Sequence, residues 1–167
     1  DDLDIDLVRL ARFAGARVIL GQVDGIDSET REINVAGRPP IAFDVASVNV
    51  GITSDMPALP GFAQHAVPAK PLGPFAAQWQ TYLNQPGPAH VAVIGGGVAG
   101  AELVMAMAHA LKTRQRPAEV TLIDSATALT AVAPRTAHRL RAAMRALGVT
   151  LIEGTEITQI AADHILL

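Results

Sequence analysis

Cysteine is absent from the 167 residues. That excludes disulfides, zinc–thiolate sites and a CxxC redox pair from this stretch. Aromatic residues are scarce, at 4%, and charged ones make up only 17%. Disorder needs the opposite balance, and here half the chain is apolar, enough to build a packed core. There is no excess of positive charge: the formal net charge is −3. A nucleic-acid partner is therefore not expected. The opening residues, Asp1 to Asp6, are acidic rather than basic, so no signal peptide is read there. The five histidines show no metal-ligand spacing, and neither a GxSxG elbow nor a P-loop occurs. No metal site and no acid–base or nucleophilic catalytic residue is expected.

What the chain does have is His90 to Ala110, HVAVIGGGVAGAELVMAMAHA. Val91 to Ile94 are of β type, glycines follow, and a run of helix formers comes next. Gly95-x-Gly97-x-x-Gly100 is the dinucleotide fingerprint, after a strand and opening a helix. Gly95 allows the tight turn, Gly97 lets a pyrophosphate approach bare backbone, and Gly100 lets the helix lie against the sheet. Gly96, Val98 and Ala99 complete the turn, whose free N–H groups suit phosphates. Val91 to Leu111 is long and apolar enough to imitate a membrane span. Glu102 near the bilayer centre would cost about 2.5 kcal/mol or more, and three glycines break a helix, so a transmembrane segment is rejected.

Around this unit the remaining elements are read from periodicity and punctuation. Asp6 caps a helix over Leu7 to Ala14, with Leu7, Leu10, Ala11 and Ala14 inward and Gly15 ending it. Strands are expected at Arg17–Leu20, Val23–Ile26 and Glu32–Val35, and an extended segment over Ile41–Val50. Residues 53 to 74 hold five prolines and two glycines, the composition of a crossing segment. A helix from Pro74 to Leu83 places Phe75, Trp79, Tyr82 and Leu83 on one face. The fingerprint helix runs to about Arg114, with Lys112, Arg114 and Arg116 at its negative end. Glu119–Ile123 is the second strand. A helix opening at Pro134 or Thr136 buries Leu140, Ala143, Met144 and Leu147 and leaves Arg139, Arg141 and Arg145 in solvent. Val149–Ile152 is the third strand, and Ile157–Ile160 with Ile165–Leu167 forms a hairpin. The fold class is α/β: a Rossmann-like parallel sheet with a βαβ dinucleotide-binding unit, a partial second α/β body and β-hairpins.

Asp124 ends the second strand, 24 residues beyond Gly100. An acid there can accept hydrogen bonds from both adenosine ribose hydroxyls, or can simply serve as a cap or solvated loop residue. No cation follows it at once to receive a 2′-phosphate, which favours NAD(H) over NADP(H). Glu102 suits the positive end of its helix whether or not a cofactor is near. RFAGARVILG (Arg12 to Gly21) and RALGVTLIEG (Arg145 to Gly154) echo each other, pairing Gly15 with Gly148 and Gly21 with Gly154. If the first copy shares the second's antecedents, another GxGxxG precedes Asp1 and the chain is a fragment.

VAVIGGGVAGAE, VTLID, RALGVTLIEG and FDVASVNVGITSD (Phe43 to Asp55) together resemble the pyridine nucleotide-disulfide oxidoreductase superfamily. Within it the chain resembles the type II NADH dehydrogenase-like branch, and through HAVPAKPLGPFAAQWQ the flavoprotein modules fused to selenide, water dikinase. The resemblance implies residues 1–52 as the back of a truncated FAD-binding domain. It makes 53–88 a crossing segment with a short helix, and 89–167 the front of an NAD(H)-binding domain. It implies Val23 and Gly51 beside FAD and Glu102 near the nicotinamide end. Asn49-Val50-Gly51-Ile52-Thr53-Ser54 departs from the family's turn by an extra residue. The implied activity is hydride transfer from NAD(P)H to FAD, then to a quinone or other acceptor, with the fragment alone inactive. Two rivals remain: a non-catalytic nucleotide-binding module, and a fingerprint site taken by FAD or ADP. A cytoplasmic or membrane-peripheral location and a homo-oligomer are both compatible.

Overall fold

The computed structural model describes residues 5–50 and 57–167. The chain divides into two compact units, Asp1–Val50 and Gly51–Leu167.

In the first unit, helix α1 spans Leu7–Ala14. Asp6 caps it by accepting from the Arg9 amide at 3.0 Å, and Gly15 ends it at φ 64°. A left-handed residue there releases the chain without a Cβ clash. Strands β1 (Val23–Asp27), β2 (Glu32–Val35) and β3 (Ile41–Ala42) form an antiparallel sheet in that order. Asp27 closes the β1–β2 turn by accepting from the Glu29 and Thr30 amides. Val35 is the only buried hydrophobic residue among those described in this unit. Its Cγ1 lies 2.5 Å from where a Cβ on Gly21 would stand, so that glycine is a packing requirement.

Two expectations fail in this unit. Leu7 and Leu10 are 59% and 50% exposed, so the apolar stripe of α1 is largely uncovered by the described residues. Arg17–Leu20 is not a strand, and within the extended segment expected over Ile41–Val50 only Ile41–Ala42 pairs as one. Leu20, Val45, Val48 and Val50 are all exposed. Apolar β-type residues become strands only where a ladder partner exists, and none is present for these among the described residues.

In the second unit, α2 covers Phe62–His65 and α3 covers Leu72–Leu83. The parallel sheet is β4 (Ala89–Ile94), β5 (Ala118–Ile123) and β6 (Val149–Ile152), in that order. Helices α4 (Val98–Thr113) and α5 (Pro134–Ala146) make the crossovers. The stretch that imitates a membrane span is thus a strand, a turn and a helix. Among the described residues no helix is long and apolar enough to cross a membrane. Strands β7 (Gln159–Ile160) and β8 (Ile165–Leu166) pair as the expected hairpin.

Leu111, Leu122, Met144 and Val104 are the largest fully buried side chains and tie α4, β5 and α5 together. Truncating such a residue to alanine costs about 2–5 kcal/mol. Phe75, Trp79 and Tyr82 of α3 pack against this core beside buried Leu83, as their spacing predicts. The Tyr82 hydroxyl donates to the His90 carbonyl at 3.0 Å and accepts from the His90 amide at 2.9 Å. Arg116 lies 4.9 Å from the Tyr82 ring centre and donates to the carbonyls of Tyr82, Gly87 and Pro88. It therefore fastens the turn before β4 rather than serving only the end of α4. In α5, Leu140 and Leu147 are half-buried and Met144 is buried, but Ala143 is exposed. Arg141 is not in solvent; it pairs with Glu153.

Candidate nucleotide site at the strand ends

The fingerprint occupies the turn from β4 into α4, and its glycines differ in what requires them. Gly95 sits at φ 106°, a conformation that only glycine adopts without strain. A Cβ on Gly96 would meet the Ala128 Cβ at 2.5 Å and Asp124 Oδ2 at 2.9 Å. A Cβ on Gly100 would stand 1.9 Å from the carbonyl oxygen of Gly95, so the helix rests on its own preceding turn. Gly97 has neither requirement: its φ is −66°, and, as at Gly95, nothing lies within 4 Å of its would-be Cβ. The protein leaves that backbone open on the side where a substituent would project.

Neighbouring segments hold the turn. The Gly95 amide donates to the Ile123 carbonyl at 2.8 Å. The Gly96 amide donates to Asp124 Oδ2 at 2.5 Å, and its carbonyl accepts from the Leu129 amide at 2.8 Å. Gly97 caps α4 with extended backbone, and no side chain caps the helix. Its first amides therefore face the open side with their share of the helix dipole.

Asp124 follows β5 directly and is half-buried. Its second oxygen, Oδ1, accepts from the Ala126 amide at 2.7 Å. Each carboxylate oxygen has a further lone pair, so these two bonds leave acceptor capacity for a diol. Asp124 is thus an anchor of the glycine turn as well as a group able to receive hydroxyls. A groove of about 420 Å³ runs over the strand ends, lined by Ile94, Gly95, Ile123, Asp124, Ser125 and Thr155 among others. Parallel sheets take ligands at this end. A larger hollow of about 510 Å³ lies against the turn before β4 and the end of α4. Its two arginines, Arg114 and Arg116, donate to backbone carbonyls and to Asn84, and so brace the turn before β4.

Val98 and Ala99 begin α4, the former half-buried and the latter exposed. Glu102 is exposed on the second turn of the same helix. Val23 belongs to the other unit, where it pairs with Val35 and is 54% exposed. Gly51 lies outside the described residues. Among those residues no group of three His, Cys, Asp or Glu side chains is placed to hold a metal.

Sequence reasoning missed Glu153. It follows β6 as Asp124 follows β5, and Ile123 and Ile152 are register partners. Two acids ending adjacent parallel strands were the available signal. Glu153 Oε2 and Oε1 accept from Arg141 Nη1 and Nη2 at 2.7 and 2.6 Å. The Arg141 hydrogen bonds, with help from the Ala128 amide, hold the Glu153 carboxyl down at about 2 against desolvation. The same pairing raises the Arg141 pKa.

The sequence profile of the pyridine nucleotide-disulphide oxidoreductases matches residues 10–167. The chain belongs to this family. Among solved structures, a ferredoxin reductase from Rhodopseudomonas palustris aligns at TM-score 0.66 and 17% identity, over 98% of this chain and 39% of its own. A sulfide:quinone oxidoreductase from Aquifex aeolicus aligns at 0.62 and 16%, over 93% and 39% respectively. An NAD-dependent persulfide reductase from A. fulgidus aligns at 0.60 and 20%, over 96% and 30%. The likenesses establish a shared fold, and the chain spans well under half of each protein. Among curated proteins none matches significantly.

Proposed function

We propose that this family member is the NAD(H)-binding part of an FAD-dependent oxidoreductase. Residues 89–167 would form the front of the nicotinamide-nucleotide domain, 1–52 the back of the flavin domain, and 53–88 the crossing between them. The open backbone at Gly97 carries the reading. Gly95, Gly96 and Gly100 are required by backbone conformation or by packing; Gly97 is held by neither, and its backbone is left bare. The pyrophosphate would lie against Gly97 and the amides of Val98 and Ala99. Asp124 would accept the adenosine ribose hydroxyls, and Glu102 would lie towards the nicotinamide. Val23 and Gly51 would border FAD.

When bound, nicotinamide and flavin would supply the hydride chemistry between NAD(P)H and a quinone or other acceptor. The chain's own work is to present donors to phosphate and acceptors to ribose. Arg141, whose guanidinium reaches the Ala128 carbonyl of the loop after Asp124, is engaged by Glu153, which supports NAD(H) over NADP(H). Titration of the chain with NADH, NADPH and FAD tests the order of preference. NADH should bind tightest, and Gly97→Val should remove binding without lowering the thermal midpoint. Unchanged affinity in Gly97→Val, or tightest binding of FAD, would reject the proposal.

A further inference from the structure

The segment after Asp124 is held from behind by two side chains, Arg141 and Glu153, to which the nucleotide reading gives no contact with the cofactor. Glu153 Oε1 accepts from the Ala128 amide at 2.6 Å. Arg141 Nη2 donates to the Ala128 carbonyl at 3.0 Å while also bonding Glu153. Both polar groups of one peptide residue are therefore gripped by one ion pair. Its side chains are 28% and 29% exposed, so water competes only weakly for the pair.

Ala128 is itself 3% exposed and packs where Gly96 has no Cβ. The next residue, Leu129, stands at φ 63°, a left-handed conformation that leucine avoids. Such a residue persists only when its surroundings fix it. Here the clamp fixes Ala128 on one side, and the Leu129 amide is fixed to the Gly96 carbonyl on the other. At the segment's start, Asp124 holds the Ala126 and Gly96 amides. The Gly154 amide adds a bond to the Ala126 carbonyl at 3.2 Å.

We propose that Arg141 and Glu153 are positioning residues for the adenosine end of the cofactor: they hold residues 124–129 so that Asp124 and the Gly96 peptide keep their mutual geometry. The inference rests on the nucleotide reading above. Neither side chain needs to touch the cofactor. Their effect passes through Ala128 to the glycine turn and back to the Asp124 carboxylate.

The test is ADP-ribose binding by the full 167-residue chain, measured calorimetrically, with thermal midpoints recorded in parallel. Arg141→Lys keeps the charge opposite Glu153 but replaces the planar fork that grips both Glu153 oxygens by a single ammonium, so one arm of the clamp is lost. Losing one charge-assisted bond of the clamp should weaken ADP-ribose by about tenfold. In an Asp124→Asn background the same change should cost less than about twofold, because the carboxylate it positions is gone. Glu153→Gln keeps an acceptor for the Ala128 amide and should fall between Arg141→Lys and the parent. A lower midpoint with unchanged ADP-ribose affinity in both variants would reduce the pair to a brace between α5 and β6. Losses that multiply independently of Asp124 would also overturn the proposal. Failure of the unmodified chain to bind ADP-ribose would instead overturn the nucleotide reading.

Discussion

Replacing Gly100 by alanine sets a steric cost against a helix-propensity gain. The added Cβ would lie 1.9 Å from the Gly95 carbonyl oxygen and 3.1 Å from its carbon. Both atoms are backbone, and the Gly95 amide is already tied to β5. The first turn of α4 would have to retreat by more than about 1 Å to restore ordinary contact. Overpacking of a rigid neighbour costs up to about 3 kcal/mol. Alanine returns about 1 kcal/mol of helix propensity at most. The net loss is about 2 kcal/mol, which in a unit of this size lowers the midpoint by about 8 °C. Gly97→Ala is the internal control, since its Cβ meets nothing within 4 Å. It should hold the midpoint to within about 2 °C. Thermal unfolding followed by circular dichroism compares the two. The reasoning is refuted if Gly100→Ala melts with the parent, or if Gly97→Ala falls as far.

Two further outcomes follow from named contacts. The Glu153 carboxyl is lowered from 4.5 to about 2, so its contribution is fully present above about pH 4.5 and disappears as pH falls towards 2. With partial exposure taken into account, the contribution is about 2 kcal/mol, and Glu153→Gln should flatten the midpoint-against-pH curve in that window; parallel curves would count against the pair. Arg116→Met removes donors from the carbonyls of Tyr82, Gly87 and Pro88. It should cost about 2 kcal/mol in urea unfolding and leave NADH affinity unchanged, because these contacts lie at the end of the strands away from the glycine turn.

The second unit was legible because its signals are local and agree with one another. Val91–Ile94 runs into glycines, Pro117 stops the helix, and Leu140, Met144 and Leu147 repeat with helical spacing. Each such choice is reinforced by a neighbour in the parallel sheet. The first unit was less legible because its strands depend on partners that periodicity cannot supply. The internal echo shows the difference: Gly15 and Gly148 both follow a helix at positive φ, but only the second leads into a paired strand. Gly21 and Gly154 match in letter and differ in cause, since one avoids Val35 and the other turns at φ 65°. Arg141 was misplaced because a surface position on a helix wheel says nothing about an acid that arrives from the next strand. Asp124 was found through its spacing from the fingerprint, but its grip on Gly96 depends on how β4 and β5 align.

The phenol of Tyr82 sits on β4, the outer strand in the order β4-β5-β6, and occupies both peptide groups of His90. A foreign strand approaching that border would meet an aromatic ring at its lower half. Zippering along the whole border is blocked, and lengthening of the sheet is confined to the stretch from Ala92 to Ile94, immediately below the glycine turn.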